Sequence, residues 1–367
     1  RGCTGGAEAR IAKWKEERFQ PVELDEDHMR RFERAFDCNV PTGWNLKKQA
    51  FVPKGSATLY SSRREGGSWN FLHEGLSGLC RPEEIDSGGR PRIVTCFSAG
   101  VTRVLSPLRA SLYTHLRDFG WLLVGPPTRR HLEGLSGGDW ISVDYRSATD
   151  NFKTAYVRLA CEVLIRKGVN LSQEEIFCIR TLGNLSFEEG SVATRGQAMG
   201  NVLSFPVLCL FNKTIVDLAL ADQLEEGRIS WSEFSGHRLL VNGDDLLLRD
   251  TTAGGLLADI VRNGLAAGMV VNEEKTMVDA SWAEINSTSF YNCVPSRKAN
   301  AGALFMAGDV CDVIGYARAS SITLTGFKTL VLCNLRKLAL QRRKVFAPLP
   351  FPYRAILLGD RRIRDAR

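Results

Sequence analysis

The sequence has no uninterrupted apolar run long enough to cross a bilayer. The best candidate, VLSFPVLCLF (202–211), is far short of the ~18 residues required and contains Pro206. Close cysteine pairs are also missing. The ten cysteines stand at 3, 38, 80, 96, 161, 178, 209, 293, 311 and 333, and no two fall within four residues of each other. That excludes the paired spacings of structural zinc sites. In a chain this long it reads as free thiols in a reducing compartment. The five histidines, His28, His73, His115, His131 and His237, form no ligand spacing. There is no internal repeat, no low-complexity block and no secretory signal. The opening Arg-Gly-Cys, without an initiator Met, reads as the start of a fragment or processed segment.

What is present is globular material. Of 367 residues, 44% are hydrophobic and 24% charged, which argues against wholesale disorder. The length allows two domains or one multi-lobed enzyme. The net charge of +7 is uneven. Residues 317–367 hold 12 Lys/Arg and 2 Asp/Glu, a local +10, which leaves residues 1–316 at −3. A polyanion partner near the C-terminal end is the natural reading.

Residues 8–36 are spaced for a surface helix, with Ile11, Trp14, Phe32 and Phe36 on its apolar side. Residues 41–92, rich in Gly, Ser and Arg, read as long loops. Residues 101–123 are helical in spacing but broken by Pro107. WISVD (140–144) reads as a short strand, followed by an amphipathic helix that ends at Gly168. Residues 171–190 are mixed and 200–221 form a largely buried helix. HRLLVNGDDLLLRD (237–250) reads as strand, tight turn, strand. Residues 255–269 are helical and 289–295 suggest a short strand pair. The basic tail reads as helix to about 344, with a free basic end at 355–367.

The sharpest chemical feature is Asn242-Gly243-Asp244-Asp245. Adjacent carboxylates at a hairpin tip point to opposite sides of the ribbon, so one can face a cleft and hold a divalent cation. Taken alone, the triplet suits a solvated turn equally well. Asp144 strengthens the metal reading, because it ends a second strand. Asp150 follows at a helix start, where a carboxylate also complements the helix dipole. One carboxylate from each of two neighbouring strands is what a two-metal phosphoryl-transfer site requires. Between them, RGQAMGNVLSFP (195–206) is a loop entering a helix. Its Gly196 and Gly200 allow close approach of backbone to a nucleic-acid strand, and Asn201 and Ser204 are able to bond a ribose or Asp150.

The order SVDYRSATDNF (142–152), RGQAMGNVLSFP (195–206), VNGDDLLL (241–248) and NEEKT (272–276) resembles motifs A to D of viral RNA-dependent RNA polymerases. SFYN (289–292) stands where motif E belongs, and GGRPRIVT (88–95) where the basic motif F belongs. Five residues between Asp144 and Asp150, and the Met-Gly, Ser and Pro of the second stretch, look most like the narnavirus, mitovirus and ourmia-like branch related to leviviruses. The resemblance covers roughly residues 45–295.

It implies an α+β right-hand fold: fingers at 1–135, palm at 136–170 and 193–295, a fingers insertion at 171–192, and thumb at 296–367. It implies RNA-directed RNA synthesis that replicates a positive-strand RNA virus genome. Asp144 and Asp244 would be the principal ligands of two Mg²⁺ ions, with Mn²⁺ as an alternative and Asp245 auxiliary. Asp150 and Ser204 would contact the incoming ribose, Arg90 and Arg92 the triphosphate, and Lys275 would protonate the pyrophosphate. Arg342, Arg343 and Lys344 would face RNA. The implied partners are RNA template and product and ribonucleoside triphosphates, in host cytoplasm or mitochondrion. One departure from the picornavirus-type pattern stands out. Leu208 occupies the place of its motif B Asn, and the nearest downstream Asn is Asn212. A reverse transcriptase is disfavoured by Gly243 and Asp150. A non-catalytic relic would be free to lose carboxylates that are all present.

Overall fold

The computed structural model describes residues 6–87, 90–251, 255–296, 310–321, 323–336, 346–347 and 349–366. They form a mixed α and β protein with antiparallel sheets. Two compact units are separable, Arg1–Asn286 and Ser287–Arg367.

The first unit opens with α1 (Ala7–Arg18) and α2 (Glu26–Asn39), two helices where the spacing predicts one. The break has a local cause. Pro21 cannot continue a helix, and Asp25 caps α2 by accepting the His28 N–H. The Gly/Ser/Arg-rich stretch ends in a hairpin rather than a loop: β1 (Arg81–Ser87) pairs antiparallel with β2 (Arg90–Cys96). Then α3 (Ala99–Leu116) runs through Pro107 without ending. A helix-interior proline costs about 3 kcal/mol. Leu105, Leu108, Leu112 and Leu116 are each fully buried, and at about 1.5–3 kcal/mol apiece they outweigh it.

After α4 (Arg129–Glu133), β3 (Trp140–Val143) enters the main sheet, buried at all four positions. Helices α5 (Ala148–Asn151), α6 (Thr154–Lys167) and α7 (Gln173–Arg180) follow. The 22-residue α8 (Ser204–Glu225) is the hub. By length and composition it could span a membrane, yet 78% of its apolar window is buried inside the protein, against α2, α10 and the sheet. After α9 (Trp231–Gly236) come β4 (Leu239–Asn242), β5 (Asp245–Arg249), α10 (Gly255–Ala267), β6 (Met277–Asp279) and β7 (Trp282–Ile285). The sheet order is β4-β5-β3-β6, all antiparallel, so β3 lies between strands that follow it by 100 residues or more.

Polar groups inside the helical layer are satisfied in a chain. His28 bonds Tyr156 at 2.8 Å and Asn263 at 3.0 Å, and Asn263 donates to Asp222 at 2.8 Å. Arg31 and Arg262 neutralise Asp222. Cys80, Cys96, Cys161, Cys178 and Cys209 are buried free thiols.

In the second unit, β8 (Thr288–Tyr291) and β9 (Val294–Ser296) form a hairpin. Helices α11 (Val310–Ser320), α12 (Leu324–Leu332), α13 (Phe351–Leu358) and α14 (Arg361–Asp365) follow. Ile314, Ala317, Phe327, Val331, Phe346, Leu357 and Ile363 form its core. The expected free basic end at 355–367 is therefore corrected. Leu357 and Ile363 are fully buried, and Asp360 caps α14 while pairing with Arg362 and Lys328. Basic residues there coat an ordered helix pair because the apolar residues between them have a core to enter. Arg342, Arg343 and Lys344 lie outside the described residues.

Candidate active site

The β4–β5 hairpin turns through Gly243-Asp244. Gly243 sits at φ +67°, and a Cβ there would lie 3.0 Å from the Phe205 ring. The tip is braced from beneath by α8. The Gly243 N–H donates to Cys209 Sγ at 3.2 Å. Asn212, fully buried, donates to the carbonyls of Gly243 (3.2 Å) and Asp244 (3.4 Å) and accepts from the Tyr145 hydroxyl at 3.0 Å. Tyr145 follows Asp144. A single amide thus ties the end of β3 to the hairpin tip.

The register Val143–Leu246 puts Asp144, one step on, beside Asp245. Asp144 is steered by the chain entering β6. Asn272 donates its N–H to the Asp144 carbonyl (2.8 Å) and its amide to the carboxylate (3.3 Å), and Lys275 Nζ lies 4.0 Å from the same oxygen. Asp244 is open to solvent at its tip, but the surrounding protein displaces enough water to raise its pKa. Asp144 adds to that rise, and Arg92 opposes it. Asp245 faces the other side of the ribbon. Desolvation, helped by Asp244, Asp144 and Glu284, pushes it up to about 6, although the Asn286 N–H bonds it. Asp244 thus stands near Arg92, and Asp245 near Glu284 and Asn286.

A cleft of about 610 Å³ opens beside Asp244. Its walls bring together Arg92, Asp150, Asn201, Ser204 and Asp244, drawn from four separate stretches of sequence. Asp150 does not bond Ser204. Its carboxylate accepts from the Trp14 indole N–H at 3.2 Å and pairs with Arg18 at 3.3 Å, both from α1. Arg18 also donates to the Asp150 carbonyl and stacks on Trp14, 4.9 Å from the ring centroid. Desolvation still leaves the Asp150 pKa raised, against the pull of Arg18. Ser147, just before α5, holds a left-handed φ of +45° at the cleft wall, the kind of backbone strain that clusters at functional sites.

The other sequence candidates fall into place unevenly. Ser204 lines the cleft, and its hydroxyl has no hydrogen-bond partner among the described residues. Asn201 also lines it, but its amide is engaged with Thr181 (3.1 Å) and the Leu203 N–H (3.0 Å). The close approaches that Gly196 and Gly200 make within the chain are to protein. A Cβ on Gly200 would sit 1.5 Å from the Thr95 carbonyl, and one on Gly196 would crowd Leu185 and Arg18. Arg90 opens β2, and its side chain lies outside the described residues. Sequence reasoning missed Trp14 as a cleft residue, Arg18 as the partner of Asp150, and Asn212, Tyr145 and Glu284 as neighbours of the carboxylates. Only the four-residue spacing of Trp14 and Arg18 hinted at a shared helix face.

Asp144 and Asp244 are hard oxygen donors that repel each other, and a cation between them would relieve that repulsion. This chemistry suits Mg²⁺ or Mn²⁺. Among the described residues no three His, Cys, Asp or Glu side chains converge as a complete cage. Mg²⁺ is commonly held by one or two carboxylates plus water and substrate phosphates, so the pair fits.

No family model matches the chain. It is similar to the RNA-dependent RNA polymerase of Ourmia melon virus (isolate Melon/Iran/VE9), with 32% identity over 193 residues. The match covers 47% of this chain and 22% of that protein, so the chain spans about a fifth of the relative's length. That likeness supports a relationship to viral RNA-dependent RNA polymerases at the family level.

Proposed function

We propose that the chain carries the catalytic part of a viral RNA-dependent RNA polymerase of the narnavirus, mitovirus and ourmia-like branch, copying a positive-strand genome from ribonucleoside triphosphates. One observation carries the reading. Asp144 follows β3 and Asp244 precedes its antiparallel neighbour β5, the two carboxylates feel each other's charge, and Asp244 lines a cleft with Arg92, Asp150 and Ser204. In this reading residues 136–170 and 193–295 are palm, 1–135 and 171–192 fingers, and 296–367 thumb.

Asp144 and Asp244, with Asp245 behind them, would hold two Mg²⁺ ions. When bound, these supply the positive charge that favours an ionised 3′-hydroxyl and a departing pyrophosphate. The chain's own residues do the rest. Arg92 offers a guanidinium to the triphosphate. Asp150, fixed by Trp14 and Arg18, accepts from a ribose hydroxyl, and the Ser204 hydroxyl is free to join it. Lys275 donates a proton toward the leaving group. Asn212 and Tyr145 keep the carboxylate-bearing strand ends aligned.

The test is single-nucleotide primer extension on an RNA template with Mg²⁺. Asp244→Asn is expected to abolish extension and leave RNA binding intact. Extension by Asp244→Asn, or a preference for deoxyribonucleotides, would overturn the reading.

A further inference from the structure

A second cavity, of about 430 Å³, lies at the opposite end of the β4–β5 hairpin from the carboxylates. Its wall carries Arg130 from α4, Lys213 from α8, and His237 and Arg238 leading into β4, together with Trp121 and Leu135. Among the described residues no Asp or Glu lines it. Lys213 is partly neutralised by Asp217 behind the wall. Arg130 and Arg238 have no hydrogen-bond or ion-pair partner among the described residues. His237 donates Nε2–H to the Arg249 carbonyl at 2.9 Å, which leaves Nδ1 as an acceptor, enclosed and unpartnered. Desolvation lowers the pKa of this imidazole.

These groups describe a ligand. Two unspent guanidinium groups and a lysine suit a phosphate, which takes planar donors in pairs. The volume is in the range of small-molecule sites and exceeds what a lone phosphate fills. An indole and a leucine offer an apolar wall to a planar ring. The described lining offers no carboxylate oxygen, the donor that Mg²⁺ prefers.

We propose that this cavity is a non-catalytic binding site for a nucleoside 5′-phosphate, either a free nucleotide or the 5′-phosphorylated end of an oligonucleotide. Four separated segments build it, so the fold presents it ready-made.

Isothermal titration of the full chain bearing Asp244→Asn, in EDTA, keeps cation-dependent binding at the carboxylates out of the signal. AMP should saturate a single site, and Arg130→Ala with Arg238→Ala should weaken it by about tenfold or more, the scale of one lost charged contact. Both side chains are unpaired, so folding is spared. Arg129→Ala, whose guanidinium pairs with Glu133 outside the wall, should leave affinity unchanged. A 5′-phosphorylated tetranucleotide binding as well as AMP identifies an RNA end as a ligand, and AMP alone binding identifies free nucleotide. The proposal fails if neither 5′-phosphate saturates a site or if the double variant binds as the parent does. It also fails if adenosine or the 5′-hydroxyl oligonucleotide binds as tightly as its phosphorylated form.

Discussion

Replacing the fully buried Asn212 by leucine keeps the branched outline of the side chain, though not its volume, and removes its hydrogen bonds. Two buried groups lose their partner, the Tyr145 hydroxyl, at 5% exposure, and the Gly243 carbonyl, while the carbonyl of the exposed Asp244 loses one that water can replace. A stranded buried polar group costs about 1–3 kcal/mol, so the pair predicts a loss of about 2–6 kcal/mol. That is a large share of a typical folding free energy of about 5–15 kcal/mol. Adding Tyr145→Phe removes the stranded hydroxyl and should return about 1–3 kcal/mol, a coupling that a double-mutant cycle resolves. Catalysis should suffer separately. A displacement of about 1 Å at the hairpin tip can cost about a hundredfold in rate. Urea unfolding gives the first quantity and single-nucleotide extension the second. Wild-type stability and rate in Asn212→Leu, or no coupling to Tyr145→Phe, would refute the brace.

Other outcomes follow from the same geometry. Arg18→Ala leaves Asp150 without its cation in a desolvated place, and should cost about 3 kcal/mol and raise the nucleotide KM; Arg18→Lys should recover part of both. Gly200→Ala drives a Cβ into the Thr95 carbonyl, and should cost about 1–3 kcal/mol in a thermal or urea melt. Stability should fall on acidification. Desolvation depresses the folded-state pKa of His28, so the unfolded chain binds the extra proton first as pH drops below about 6.5. The melting temperature should decline from pH 7 to pH 5, and less steeply in His28→Gln.

Local pattern made much of this architecture legible. The alternation and turn of 237–250 gave the hairpin, the short apolar run WISV gave β3, and three-and-four spacing gave the helix ending at Gly168. Where pattern misled, packing decided. Pro82 and Pro91 disguise β1 and β2, which pair as an otherwise regular hairpin. Pro107 looked like a break until four leucines had a core to enter. The cleft residues Asp150, Ser204 and Arg92 were readable as residue types in motif order. Trp14 and Arg18 were not, because their partner stands 136 and 132 residues away and no local periodicity records it. Asn212 stood out in the sequence only as the nearest Asn downstream of Leu208, and its amide is spent on the hairpin backbone.

The place of β3 in the sheet sets a timetable for synthesis. Its partner β5 lies about 100 residues later, and β6 later still. At translation speeds of about 5–20 residues per second, β3 emerges roughly 5–20 seconds before anything can pair with it. All four of its residues are buried in the finished protein, so for that interval a bare apolar edge is exposed to whatever the cell offers. A nascent chain of this design depends on chaperone cover, or on speed, during the one stretch of its synthesis when this central strand stands alone.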